Sequence, residues 1–181
     1  MSNVNSKVKG SRFERTICKW FKEWTGYEFS RTPASGGLRW KKTDNIVSDI
    51  ICTDDKHSRR FPFSIECKFH KEIKFEHILL GNKNCKILSF WEQASSDADR
   101  GNKIPILVMK YNGMPKEEAF FVLGDDLSEE LAKYPLEKPS MKITIRSTSV
   151  ALHIYMASDI KKNVNYKEFY RAGKALLKLK K

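Results

Sequence analysis

Phe13, Ile17, Trp20, Phe21 and Trp24 recur at i, i+4, i+7, i+8 and i+11, which gathers them on one stripe of an amphipathic helix. Ser11 stands three residues before Glu14, the spacing of a capping box that would start the helix, and Gly26 would stop it. Arg31 to Lys42 then carries Pro33, Gly36 and Gly37 among basic and hydroxyl residues. It reads as a mobile loop, a kind of segment that often carries function. Ile46 to Cys52 is rich in β-branched residues and reads as a buried strand, followed by a polar turn over Thr53 to Arg60. Phe63, Ile65, Cys67 and Phe69 alternate with Ser64, Glu66 and Lys68, the period of two of a half-buried strand. The two strands are expected to form a hairpin.

Further along, Ile87, Trp91, Ala94 and Ala98 share a helical stripe that ends near Gly101, and Ile104 to Tyr111 is an apolar strand. Ala119 to Leu123 and Met141 to Ile145 read as strands, with a short helix from Asp126 to Tyr134 between them. Tyr166, Phe169, Tyr170, Gly173 and Leu177 mark a terminal amphipathic helix that runs into Lys178, Lys180 and Lys181. The succession predicts an α/β or α+β fold around a central mixed sheet. At 181 residues the chain fits one domain. The expected organisation is a flexible N-terminus over 1–8 and a single domain over 9–181, with a core of about 9–112 and a C-terminal elaboration over 113–181.

Composition adds the charge. Lys and Arg number 34 against 22 Asp and Glu, a formal net charge of +12. Such an excess suits a polyanion, and nucleic acid is the commonest, because neutralised phosphates release condensed counterions. A basic surface that serves only solubility is the plainer alternative. No apolar run approaches the ~20 residues of a membrane span, and Met1 to Lys7 lacks the apolar core of a signal peptide. A cytoplasmic protein without membrane contact is expected. Cys18, Cys52, Cys67 and Cys85 form no zinc-like cluster and read as reduced, buried thiols.

The chemistry concentrates on the hairpin. Residues two apart on a strand share a face, so Glu66 and Lys68 project together from the side opposite Ile65 and Cys67, roughly 7 Å apart at the backbone. Asp49 is an ionisable residue in an apolar strand pattern, where charges are found only when paired or coordinating. Two carboxylates on adjacent strands form an oxygen-ligand set suited to Mg²⁺, and phosphodiester hydrolysis needs a metal and a cationic group of this kind. The acid-x-Lys tripeptide by itself carries little weight, since it recurs at Asp54, Glu72 and Asp159. A cross-strand salt bridge between Asp49 and Lys68 is the structural alternative.

Four segments stand in order: Lys9-Gly10-Ser11-Arg12-Phe13-Glu14-Arg15, Arg31-Thr32-Pro33-Ala34-Ser35-Gly36-Gly37, Ser48-Asp49-Ile50 and Ile65-Glu66-Cys67-Lys68. This arrangement, over about residues 9 to 111, resembles the archaeal-type Holliday-junction resolvases of the P-D-(D/E)-x-K nuclease superfamily. Ser48 stands where that family usually has proline. The resemblance implies a restriction-endonuclease-like core and a Mg²⁺-dependent endonuclease, with Mn²⁺ able to substitute. Such an enzyme would act as a homodimer on four-way DNA junctions in recombination and repair, in a nucleoid-associated or host-cytoplasmic setting. It implies Asp49, Glu66 and Glu14 at the metal, Lys68 as catalytic lysine and Ser35 acting from the loop. Candidate DNA contacts are Lys9, Arg12, Arg15, Arg31, Lys41, Lys42, Arg59, Arg60 and Gln93.

Plainer readings stand beside these. Glu14 could serve only the capping box, Ser35 and Arg31 could be ordinary loop residues, and Gln93 and the surface cations could be merely solvated. The terminal Lys-rich helix binds DNA backbone or keeps the protein soluble. Flap, end or linear-duplex cleavage, and a non-catalytic nucleic-acid-binding protein, are the alternative functions.

Overall fold

The computed structural model describes residues 6–32, 48–80, 85–134, 141–145 and 150–180. In chain order the elements are α1 (Ser6–Thr25), β1 (Phe29–Arg31), β2 (Ile50–Cys52), β3 (Phe63–His70), α2 (Glu76–Leu79), α3 (Lys86–Arg100) and β4 (Ile104–Tyr111). There follow β5 (Phe120–Gly124), α4 (Asp125–Leu131), β6 (Met141–Ile145), β7 (Val150–Met156), α5 (Ala157–Asn163) and α6 (Tyr166–Leu179). A single 3-10 turn, Ser58–Arg60, lies between β2 and β3. Ser35, Lys41, Lys42 and the remainder of the loop expected after Arg31 lie outside the described residues, as do Ile46 and Val47.

The strands form one mixed sheet in the order β1-β2-β3-β4-β5-β7-β6. Among the described residues only β3 and β4 pair in parallel, with Glu66 opposite Leu107, and the connection between them carries α2 and α3, because a parallel pair needs a crossover. β2 and β3 are the expected antiparallel hairpin, with Ile50 opposite Ile65. The result is the mixed α/β architecture expected of a restriction-endonuclease-like core.

The two faces of the sheet bury different clusters. On one, Phe13, Ile17, Trp20 and Phe21 of α1 and Phe169 and Ala172 of α6 join Phe63, Ile65, Cys67, Val108 and Phe121. On the other, Ile87, Trp91 and Ala94 of α3 cover Leu107, Met109, Val122, Leu152 and Ile154. The C-terminal third is part of both clusters: Leu127 and Tyr155 stand in the first, Ile143 and Leu152 in the second. All four cysteines are buried and free. Among the described residues no helix is long and apolar enough to cross a membrane.

Several expectations change. α1 begins at Ser6, so Ser6 to Val8 are helical rather than loose, and Ser11 is no cap. Its hydroxyl instead meets Arg31. β3 is buried on both faces, with Ser64 2% and Glu66 4% exposed. Alternation marked which face was apolar, but the packing of α3 decided that the polar face is covered too. Arg31, expected in a loop, ends β1, where it pairs with Ile50. β1, β7, α2 and α5 have no counterpart among the expected elements.

Candidate active site

Asp49 sits in the bend just before β2. Its backbone amide donates to the Ile65 carbonyl at 3.0 Å and its carbonyl accepts from the Thr32 amide at 2.8 Å, so the bend is tied on both sides. Its carboxylate oxygen Oδ2 accepts the Cys67 backbone amide at 2.9 Å. The Ser48 hydroxyl beside it bonds the Ser64 hydroxyl at 2.8 Å within the buried layer. Thr32 Oγ1 donates to the Ser48 carbonyl. The short β2 thus holds the acid by side-chain and backbone bonds on both flanks.

Glu66 stands in the middle of β3 and faces α3. Its Oε1 accepts from Lys68 Nζ at 2.7 Å and from Gln93 Nε2 at 2.8 Å. The Lys68 ammonium also lies 5.6 Å from the centre of the Phe90 ring. Lys68 therefore pairs along its own strand with Glu66. Among the described residues it makes no ion pair with Asp49, which removes the cross-strand salt bridge as an account of these charges.

The electrostatics are those of two acids confined together. Burial, then the charge of Asp49, pushes the Glu66 carboxyl up to about 7, with Lys68 opposing and Asp97 adding to the rise. Burial also holds Asp49 above its ordinary value, reinforced by the Glu14 charge and opposed by the Cys67 amide and Lys68. The Cys67 amide that holds Asp49 stands between Glu66 and Lys68 on β3, which brings both acids to the same stretch of that strand. A site that makes ionisation of both acids costly is one that a cation would relieve, and hard carboxylate oxygens suit a small divalent ion.

Glu14 is placed differently from the other two acids. Its Oε2 accepts from Arg31 Nε at 2.5 Å, and Arg31 Nη2 donates to Ser11 Oγ at 3.0 Å. Among the described residues no group of three or more His, Cys, Asp or Glu side chains is arranged to hold a metal ion. Arg31 is thus engaged by Glu14, while Arg12 and Arg15 are exposed on α1 and Lys9 is partly exposed there. Gln93 touches Glu66 directly. Arg59 and Arg60 do not flank the acids: they lie on the turn before Phe63, at the end of β3 away from Lys68. Asp97, one helical turn beyond Gln93 and paired with Arg100, bears on Glu66. The sequence signalled it only by its i+4 spacing from Gln93 on α3.

A stability consequence follows from Glu66. A carboxyl whose pKa is raised by folding binds its proton more tightly in the native state. The contribution is therefore present below the ordinary value of 4.5 and is lost as pH rises through about 7. Asp54 and Asp125, held low by His57 and His153, act in the opposite sense, so the comparison must be with a variant. In divalent-free buffer, Glu66→Gln is expected to be more stable than the parent at pH 8 by up to about 3 kcal/mol. The two should converge near pH 4.5. Thermal melts across that range check this, and a parent-to-variant difference that does not change with pH contradicts it.

Comparison with known proteins agrees with this geometry. A family model described as "Phage putative PDDEXK endonuclease" matches residues 5–170. The chain belongs to this family, and so to the P-D-(D/E)-x-K nucleases. It is also similar to Protein D14 of Escherichia phage T5, at 22% identity over 153 residues, which cover 84% of this chain and 90% of that protein. No solved structure matches the chain.

Proposed function

We propose that this nuclease is a divalent-metal-dependent DNA endonuclease with Asp49, Glu66 and Lys68 at its centre. The observation that carries the reading is that the half-buried Asp49 carboxylate, in the bend before β2, is held by the Cys67 amide of β3, the residue between the buried Glu66 and Lys68, whose ammonium lies 2.7 Å from the Glu66 carboxylate. Asp49 and Glu66 would hold Mg²⁺, which when bound polarises a phosphoryl oxygen and lowers the pKa of water.

The chain's own groups do the rest. Gln93 and Lys68 both donate to Glu66 Oε1, which fixes the carboxylate while the other oxygen stays available. The Lys68 ammonium offsets negative charge that develops on the phosphate. The Cys67 amide holds Asp49 in the same way. Arg12, Arg15 and Lys9 on α1 would contact the DNA backbone, and Glu14 would join the two acids once Arg31 turns from it to a phosphate. Ser35 keeps the role that the motif order implies, and Lys41 and Lys42, which flank the site in sequence, remain candidate phosphate contacts.

The finer proposal is that the substrate is the four-way junction and the acting species a homodimer. The order of the four motifs from Lys9 to Lys68 supports it. A dimer has two sites at a fixed separation, so a branched DNA that reaches both makes its second engagement effectively intramolecular. Junction and matching linear duplex should be bound in calcium and cut in magnesium side by side, with the protein's mass measured in solution. Paired, near-symmetric nicks in the junction and little cutting of the duplex are expected. A monomer that cuts both alike would end the junction reading and leave the nuclease centre standing.

A further inference from the structure

We infer that the outer face of α6, together with the Arg59–Arg60 turn, is a second nucleic-acid backbone surface, on the side of the sheet away from Glu66. At about 100° per residue, Lys167, Arg171, Lys174 and Lys178 fall within an arc of about 60°. That arc is opposite the one occupied by Phe169, Ala172 and Gly173, which are buried. These buried residues dock α6 on the face of Phe63 and Ile65, whereas Glu66 belongs to the face covered by α3. The stripe therefore points outward from the opposite side of the sheet.

The turn extends the stripe. The Tyr170 hydroxyl donates to the Arg60 carbonyl at 3.0 Å; burial raises the Tyr170 pKa, and the nearby Arg60 charge opposes part of that rise. Arg60 and α6 are thus fixed beside each other, and a rigid cationic surface results rather than a set of independent side chains. Arg59, Arg60, Lys167, Arg171 and Lys178 are exposed and Lys174 is half-buried. Among the described residues none of the six has a carboxylate within ion-pair distance. The same turn and helix carry Asp54, which His57 engages, Asp55 and Glu168. Of the other surface lysines, Lys22, Lys133, Lys142 and Lys161 are each paired with an acid, whereas Lys56, Lys71, Lys86, Lys116 and Lys162 stand singly rather than in a stripe.

The chemistry that this surface fits is a phosphate backbone. The four helix cations span about 16 Å along the axis at 1.5 Å per residue. A duplex strand presents a phosphate about every 3.4 Å of its axis, so several fall within reach without any base being read. The stripe lies across the sheet from the face that Glu66 shares with α3, and the Arg59–Arg60 turn lies at the end of β3 away from Lys68, so this surface stands apart from the Glu66–Lys68 pair. The surface takes a second duplex or a second arm of one branched DNA.

The test uses the whole chain and a 12-base-pair duplex in EDTA, so it does not depend on cleavage. Native mass spectrometry is expected to show two duplexes on the parent chain and one on Arg171→Gln/Lys174→Gln. For a longer duplex, the slope of log affinity against log salt should become shallower by about 1.8, or about 0.9 for each phosphate no longer neutralised. Lys116→Gln/Lys133→Gln removes the same charge elsewhere and should change neither reading. Equal stoichiometry and equal slope in the two double variants would overturn the inference, even if the nuclease reading holds. Disappearance of the second duplex would sustain it, even if no cleavage is ever found.

Discussion

Glu66→Gln is expected to lower DNA cleavage at least about 10³-fold, a loss of about 4 kcal/mol in transition-state stabilisation, while the protein stays folded. Glutamine fills the same space and keeps an oxygen to accept from Gln93 and Lys68, so the 4% exposed position is not left empty. What goes is the charge that a divalent ion needs. Asp49→Asn keeps an oxygen for the Cys67 amide and should act alike. Lys68→Ala should lose comparable activity and also stability above about pH 7, because it leaves the Glu66 carboxylate buried without its cation. A plasmid-cleavage assay with magnesium, read beside thermal melts, checks all three. If any two variants keep their activity, the centre lies elsewhere. If all three lose stability alone, these charges are structural.

Gly173→Ala should lower stability by about 2 kcal/mol, or roughly 4–8 °C in a domain of this size. Helix propensity argues the other way, since Ala in place of Gly inside a helix normally adds about 1 kcal/mol. Packing decides the sign. A Cβ on Gly173 would stand 2.5 and 2.6 Å from two ring carbons of Phe63 and 3.0 Å from a Pro62 carbon. The Phe63 ring cannot step aside, being 1% exposed and packed between Phe61 and Phe169 at ring-centre distances of 5.6 and 4.7 Å. Trimming that ring should restore room. Phe63→Leu is costly alone, yet in the Gly173→Ala background it should cost clearly less, a coupling that a double-mutant cycle measures. Strictly additive costs, or a stabilised Gly173→Ala, would mean that α6 does not dock as closely as it does here.

Periodicity located what local sequence can specify. Long patterns such as Phe13 to Trp24 and Ile104 to Tyr111 have enough repeats to define element type, and the alternation around Glu66 assigns it and Lys68 to one face independently of packing. β1 and α2 are three and four residues long, too short for a period to register. β1 exists because its pairing with β2 supplies its hydrogen bonds.

Three site features likewise depended on tertiary structure. Ser11 and Glu14 have the spacing of a cap, but a helix start at Ser6 frees both for Arg31, twenty and seventeen residues away. Arg59 and Arg60 are candidate DNA contacts that flank the site in sequence, whereas strand direction carries them to the end of β3 away from Lys68 and against α6. The salt bridge open to Lys68 in the sequence was the cross-strand one with Asp49, whereas the folded strand pairs it with Glu66, on the oxygen that also accepts from Gln93 of α3. The chain thus determined by itself which acids and which lysine are set among apolar neighbours, since burial patterns are local. Which of them touch, and how far their protons are held above ordinary values, depends on the layers that exclude water around them, and only the assembled sheet and helices supply those.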